Sequence, residues 1–174
     1  MKTTISKFVL LSLIVLFLSS NLYVSEPPTT LKATIESLNA KINKMWINQD
    51  FGKMLYYCTD DVIIMQNYTP MIKGKKAFGA FMMEMKESRG YSMASNEMKT
   101  LEVSGSGDQI VEIGKYKASF KVARLAELQC DEGAYVTVWQ KMADGSLKMK
   151  AAIWNSGFSP MEKREVSTKS RIKR

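Results

Sequence analysis

Two carboxylates stand side by side in the stretch MWINQDFGKMLYYCTDDVIIM, where Asp60 and Asp61 precede an apolar run. Paired carboxylates beside aromatic residues could supply the general acid and base of a site. The same residues equally suit a polar join between a helix and a strand. We expect the second arrangement, with both carboxylates in water or capping backbone groups.

Glu112 is another carboxylate that could do chemistry, because alternation puts it on the apolar face of a predicted strand with Ile110 and Phe120. A carboxylate on such a face is costly unless paired, and some of these groups are site acids. Tyr116, on the same face, or Tyr57 would then be the proton donor. The favoured explanations are structural: Glu112 reaches water near a strand end, or pairs with a lysine.

The chain contains no histidine. This excludes histidine as a general base, as the activator of a nucleophile and as a metal ligand. The segment Gly105-Ser106-Gly107 is a hairpin turn rather than a phosphate loop, since no helix and no GK[ST] follow it. We therefore predict no metal site and no cofactor.

The two ends of the chain differ from its body. Residues 1–25 have a basic start, an apolar run and small polar residues, which is typical of a secretory signal peptide; a retained anchor tethering the protein to a membrane is the alternative. Residues 26–30 form a linker. Much of the net charge of +8 lies in a predicted disordered tail, 159–174, which could bind anionic surfaces. The nearly neutral body disfavours nucleic acid as a partner.

Secretion affects how the two cysteines and the one glycosylation sequon are interpreted. In an oxidising compartment Cys58 and Cys130 could form a disulfide, or they could be two buried thiols, and the sequence leaves both open. Asn67 begins the sequon Asn-Tyr-Thr and is a candidate for glycosylation, although Pro70 directly after it would hinder the modification.

The periodicity of apolar residues changes along the chain from helical to alternating. Spacings of three and four predict a long helix over 30–48 and another from Gly74, closed by Gly90. Alternation predicts half-buried antiparallel strands in the second half. The other predicted elements are a short helix over 51–58 and strands over 62–66, 71–73, 98–104, 109–123, through 136–139 and over 147–156.

Three stretches together resemble a known group of proteins: INKMWINQDFGKMLYYCTDDVIIMQ, IKGKKAFGAF and AYVTVWQKMADGSLKMKAAIWNS. In this order and spacing they resemble the nuclear-transport-factor-2-like superfamily, and within it the SnoaL-like, ketosteroid-isomerase-like branch. The resemblance implies one α+β domain over 31–158. Three helices would pack on a strongly curved, mainly antiparallel sheet to form a cone around an apolar cavity. It also implies a homodimer formed through the sheet.

The resemblance further implies that the isomerase site is absent. The carboxylate base of such enzymes corresponds to Gln66, their tyrosine to Ile42 and their protonated carboxylic acid to about Thr137. A further acid that related proteins carry before Ile-Trp-Asn corresponds to Ala152. Ketosteroid isomerisation is therefore not expected.

The first functional hypothesis is a secreted domain that binds a small apolar or amphipathic molecule without catalysis. The alternatives are a lyase or isomerase acting on a small carbonyl compound through Glu112, and an assembly module with a filled cavity. The candidate ligand-binding residues are Trp46, Tyr57, Gln66, Phe81, Glu112, Tyr116, Trp139, Trp154 and Asn155.

Overall fold

A computed structural model describes residues 30–157, which form three helices and six strands of an α+β fold. The predicted fold class is confirmed. In chain order the elements are α1 (Leu31–Ile47), α2 (Phe51–Tyr56), β1 (Cys58–Gln66), β2 (Ile72–Lys73), α3 (Lys75–Arg89), β3 (Ser92–Ser106), β4 (Gln109–Lys121), β5 (Gln129–Lys141) and β6 (Leu147–Ser156).

The six strands form one curved sheet in the order β2-β1-β6-β5-β4-β3. Only β1 and β6 pair in parallel; every other described pair is antiparallel. Register shifts interrupt β1 between Cys58 and Ile63, and they interrupt β3 between Thr100 and Glu102. Such irregularities bend a strand and increase its twist, which suits a sheet that curves around a core.

The core consists of two apolar clusters on the inner face of the sheet. One joins α1 to the sheet and contains Ile35 and Trp139, both fully buried. The other joins all three helices to β1 and contains Met54, Val62 and Met82. The helical stripes and the inner faces of the strands therefore bury each other, as their periodicities predict.

Gly90 ends α3 in the way the sequence predicts. It adopts the left-handed conformation, with φ 57°, and a Cβ atom there would lie only 2.5 Å from the Cβ of Ala123. Glycine is favoured at such a cap because other residues are strained at positive φ.

The join between α2 and β1 differs from the prediction. α2 ends at Tyr56, and Cys58 is the first residue of β1, so Asp60 and Asp61 lie inside the strand. Both carboxylates are exposed, as expected, but they pair with lysines instead of capping backbone groups. Nζ of Lys75 lies 2.7 Å from Asp60, and Lys150 pairs with Asp61.

Besides β1, two strands are longer than predicted. β3 begins at Ser92 and β5 at Gln129, because pairing with β4 continues through polar residues that carry little strand signal of their own. The predicted signal peptide and the basic tail lie outside the described residues. Within residues 30–157 no helix is both long and apolar enough to span a membrane.

Candidate functional site

A cavity of about 210 Å³ lies between the three helices and the inner face of the sheet. Most of its lining is apolar, including Ile42, Met54 and Phe78 from the helices and Ala152 from β6. Cavities of this kind, with few polar groups in an apolar wall, are typical small-molecule sites.

The inner face of β4 and β5 is organised by strict cross-strand pairing. Alternate residues of each strand point inward, so that large and small side chains lie opposite each other. From the open end toward the buried end the pairs are Ala118 with Asp131, Tyr116 with Gly133, Gly114 with Tyr135, Glu112 with Thr137 and Ile110 with Trp139.

Asp131 places a carboxylate at the open end of this face, and it lines the cavity. The Tyr116 hydroxyl donates to Oδ2 of Asp131 at 2.7 Å, and the Ser156 hydroxyl donates to Oδ1. Among the described residues that line the cavity, Asp131 is the only one with a formal charge. Asn43 and Asn96, also in the lining, hydrogen-bond to each other.

Two tyrosines beside Asp131 are held in their neutral form. Burial, followed by the hydrogen bond to Asp131, raises the pKa of Tyr116 well above its usual value. Burial raises the pKa of Tyr91 to about 12. Near neutral pH both hydroxyls are therefore hydrogen-bonding groups rather than bases.

Trp46 closes the helical side of the cavity. Its ring lies 5.7 Å from that of Phe51 and 6.5 Å from that of Phe78, measured between centroids. Its buried indole N–H has no acceptor in hydrogen-bonding geometry within the described part of the chain, although the indole lies near enough to Tyr91 to lower that pKa slightly.

Glu112 lies deeper than the cavity and is fully buried. Four donors surround its carboxylate. Oε1 accepts from Asn39 Nδ2 at 2.6 Å, Thr100 Oγ1 at 2.8 Å and the Tyr135 hydroxyl at 2.7 Å, while Oε2 accepts from Trp139 Nε1 at 3.0 Å. Both oxygens are therefore occupied as acceptors.

The two structural explanations expected for Glu112 are wrong. Its side chain does not reach water, and within residues 30–157 no lysine or arginine pairs with it. Because α1, β3 and β5 contribute the donors, the group instead fastens the first helix to the sheet. An acid or base role would require a cavity contact, and Glu112 is absent from the cavity lining.

The structure brings only part of the predicted ligand set to the cavity. Trp46, Tyr116 and Trp154 line it. Phe81 packs against the apolar cluster of the helices, and Trp139 lies in the other cluster. The predicted residues outside the lining are Tyr57, Gln66, Phe81, Glu112, Trp139 and Asn155.

The positions inferred from the family resemblance fall mostly on the cavity. Ile42, Thr137 and Ala152 all line it, whereas on β1 the lining residue nearest to Gln66 is Ile64, and Gln66 itself lies at the strand end. None of these four lining positions carries a carboxylate.

Sequence reasoning missed Asp131, Tyr135 and Tyr91 as cavity residues. Alternation along β5 does indicate two of them, because Asp131 and Tyr135 are each an even number of positions from Trp139 and so lie on the same face of the strand. This alternation was not used because β5 was predicted to begin after both residues. Tyr91 lies between α3 and β3, where no periodicity identifies an inward direction.

The cysteines are unpaired thiols, so the disulfide candidate is not formed. Cys58 is buried and lines the cavity, while Cys130 is exposed on β5. Burial raises the pKa of the Cys58 thiol to about 11. Within the described residues no cluster of three or more Cys, Asp or Glu could hold a metal ion.

Comparison with solved structures identifies the fold. A ketosteroid isomerase-like protein from Erwinia carotovora atroseptica SCRI1043 has a TM-score of 0.64 at 15% identity, covering 73% of this chain and 96% of that one. ActVI-ORFA from Streptomyces coelicolor has a TM-score of 0.63 at 15% identity, covering 76% and 98%. An NTF2-like protein from Cytophaga hutchinsonii has a TM-score of 0.61 at 14% identity, covering 73% and 98%.

These similarities show that the protein has the nuclear-transport-factor-2-like fold. No protein-family model and no curated protein matches the sequence. The predicted fold is thus confirmed, and because one fold hosts many unrelated functions, the fold alone does not assign an activity to this protein.

Proposed function

We propose that this protein binds a small amphipathic molecule in the cavity between its helices and its curved sheet. The observation that carries the proposal is an apolar cavity of about 210 Å³ whose lining includes a few polar side chains and one carboxylate, that of Asp131. An apolar wall would bind the hydrocarbon part of a ligand, and a few fixed polar groups would orient its other part.

Binding is preferred to a lyase or isomerase built on Glu112. Both oxygens of that carboxylate already accept hydrogen bonds. Glu112 is also absent from the cavity lining, where its hydrogen-bond partner Tyr135 forms part of the wall. A general base must come within hydrogen-bond reach of the proton it takes, directly or through one water. Glu112 lacks that reach.

Native mass spectrometry of the purified protein, followed by small-molecule identification after denaturation, tests the proposal. Ala118→Leu places three extra carbon atoms in the cavity wall, and we expect it to lose the bound molecule. Ala134→Leu makes the same change on an exposed position of the neighbouring strand and should retain it. Equal occupancy in both variants would contradict binding in this cavity.

We also infer that the outer face of the sheet joins two copies of the chain. Cross-strand pairing aligns Ile113, Val136 and Ile153 in one row, and the two isoleucines are 39% and 43% exposed. Exposed apolar rows of this kind favour association.

Sedimentation velocity should show a dimer that Ile113→Lys dissociates, whereas Leu128→Lys, in the exposed loop before β5, leaves it intact. A monomeric wild-type protein would refute this assembly.

A further inference from the structure

Within residues 30–157, Asp131 carries the charge of the cavity without a cation to balance it. Among the described residues no lysine or arginine forms an ion pair with it, and the cavity lining contains neither residue type. We propose that the ligand carries a cationic nitrogen, an alkylammonium or arylalkylammonium group, that binds Asp131. This inference rests on the proposed binding function and specifies its ligand class.

The carboxylate has capacity left for such a group. A carboxylate offers about four acceptor positions. Tyr116 and Ser156 occupy one on each oxygen, and both are neutral hydroxyl donors. The two hydroxyls fix the orientation of Asp131, and the remaining positions can accept N–H bonds from a ligand.

The charge balance favours a cation over a neutral or anionic ligand. Bringing an apolar chain into the cavity removes water from Asp131, which is already half-buried. Removing water from an unpaired carboxylate is unfavourable, whereas a cation on the ligand compensates for it. An anionic ligand would add like-charge repulsion in the same place.

The surrounding rings suit the same class of ligand. Tyr91 and Phe120 lie 5.3 Å apart between ring centroids, and both line the cavity with Tyr116 and Trp154. Aromatic faces attract ammonium groups, and carboxylate and rings together distinguish a cation from an alcohol of the same size. The wall beyond them, with Met54 and Phe78, is apolar and would contact the hydrocarbon part.

Cavity size sets the choice of probe. At about 30 Å³ for each water-sized group, 210 Å³ holds about seven such groups. Hexylammonium and 1-hexanol therefore share a hexyl chain of suitable length and differ only in the head group, and hexanoate has the same number of carbon atoms with an anionic head group.

Titration calorimetry or ligand-observed NMR with these three probes tests the proposal. For the wild-type protein we expect hexylammonium to bind about tenfold or more tightly than hexanol, with hexanoate weakest. Asp131→Asn should bring hexylammonium and hexanol to within about twofold of each other. Glu132→Gln removes the same charge from the next, exposed residue and should preserve the wild-type order.

The outcomes separate this inference from the function on which it rests. Equal binding of hexylammonium and hexanol to the wild type, or tightest binding of hexanoate, would overturn the cationic ligand and leave an apolar binding cavity. Binding of none of the probes, together with no co-purifying molecule, would overturn the binding function itself. The ranking on the wild type decides the question even if Asp131→Asn does not fold.

Discussion

The ring of Tyr135 occupies the space that a Cβ atom on Gly114 would fill. The two residues are direct partners across β4 and β5, and an added Cβ would overlap the end of the phenol ring. Because the ring lies flat across this glycine, its hydroxyl reaches Glu112 at 2.7 Å. The absence of a side chain at Gly114 thus allows Tyr135, a residue of the cavity wall, to hydrogen-bond to the buried Glu112 carboxylate.

Gly114→Ala should destabilise the protein by about 1–3 kcal/mol, because the new methyl group overpacks a buried ring that is held by a hydrogen bond. Urea unfolding measures the change. Gly52→Ala is the matched control, since a Cβ there meets nothing within 4 Å in α2 and alanine favours a helix. Pairing Gly114→Ala with Tyr135→Leu should recover part of the loss. Equal effects of the two glycine substitutions would contradict this account.

Glu112→Gln should lower the free energy of unfolding by about 1–3 kcal/mol. Both carboxylate oxygens of Glu112 accept hydrogen bonds, but the side-chain NH₂ of glutamine can only donate. That NH₂ would therefore lie against another donor, either Trp139 Nε1 or the donors around Oε1. Glu102→Gln, on an exposed position of β3, should have little effect. Urea unfolding of the two variants checks this, and an unaltered midpoint for Glu112→Gln would show that the network contributes no net stability.

Alkaline pH should destabilise the fold through its buried tyrosines. Burial raises the pKa of Tyr91 to about 12, and burial raises the pKa of Tyr135 further, reinforced by its bond to Glu112. An unfolded tyrosine titrates near pH 10. The tyrosine pKa is higher in the folded protein than in the unfolded chain. The stability that these neutral tyrosines contribute is therefore fully present below about pH 10 and is lost as the pH rises toward 12.

Unfolding curves measured across that pH range, with tyrosinate absorbance as the probe, test this expectation. Tyr135→Phe should flatten the alkaline decline in stability, because it removes one of the titrating groups. Native Tyr91 and Tyr135 that ionise near pH 10 would contradict it.

The two thiols should react at very different rates. Cys130 is exposed, whereas Cys58 is buried and burial raises its thiol pKa to about 11, so little thiolate exists near neutral pH. Mass spectrometry after timed iodoacetamide treatment should find Cys130 modified first, and Cys130→Ser should leave a slow reaction only. Finding both cysteines in one disulfide would refute the free-thiol structure.

The helices and the last strand could be predicted because each carries its signal locally. The apolar stripe of α1 and the glycine after α3 identify those helices, and β6 begins after the Asp144-Gly145 turn. The starts of β3 and β5 could not be predicted, since their polar first residues are held by pairing with β4. Such pairing depends on residues distant in the chain.

For the site, alternation along β4 correctly placed Glu112, Tyr116 and Phe120 on the inner face. It could not say how far along the sheet the cavity extends. Glu112 lies beyond the cavity, while Asp131 on the next strand lies in its wall.

The sequence by itself determined the fold and the inward face of β4, because periodicity and residue type are local properties. Only the tertiary structure decided what the two inward carboxylates do. Glu112 is enclosed by donors as far away as Asn39, 73 positions earlier, while Asp131 meets two hydroxyls beside open space. Strand register and sheet curvature cause that difference, and both arise from packing across the whole domain.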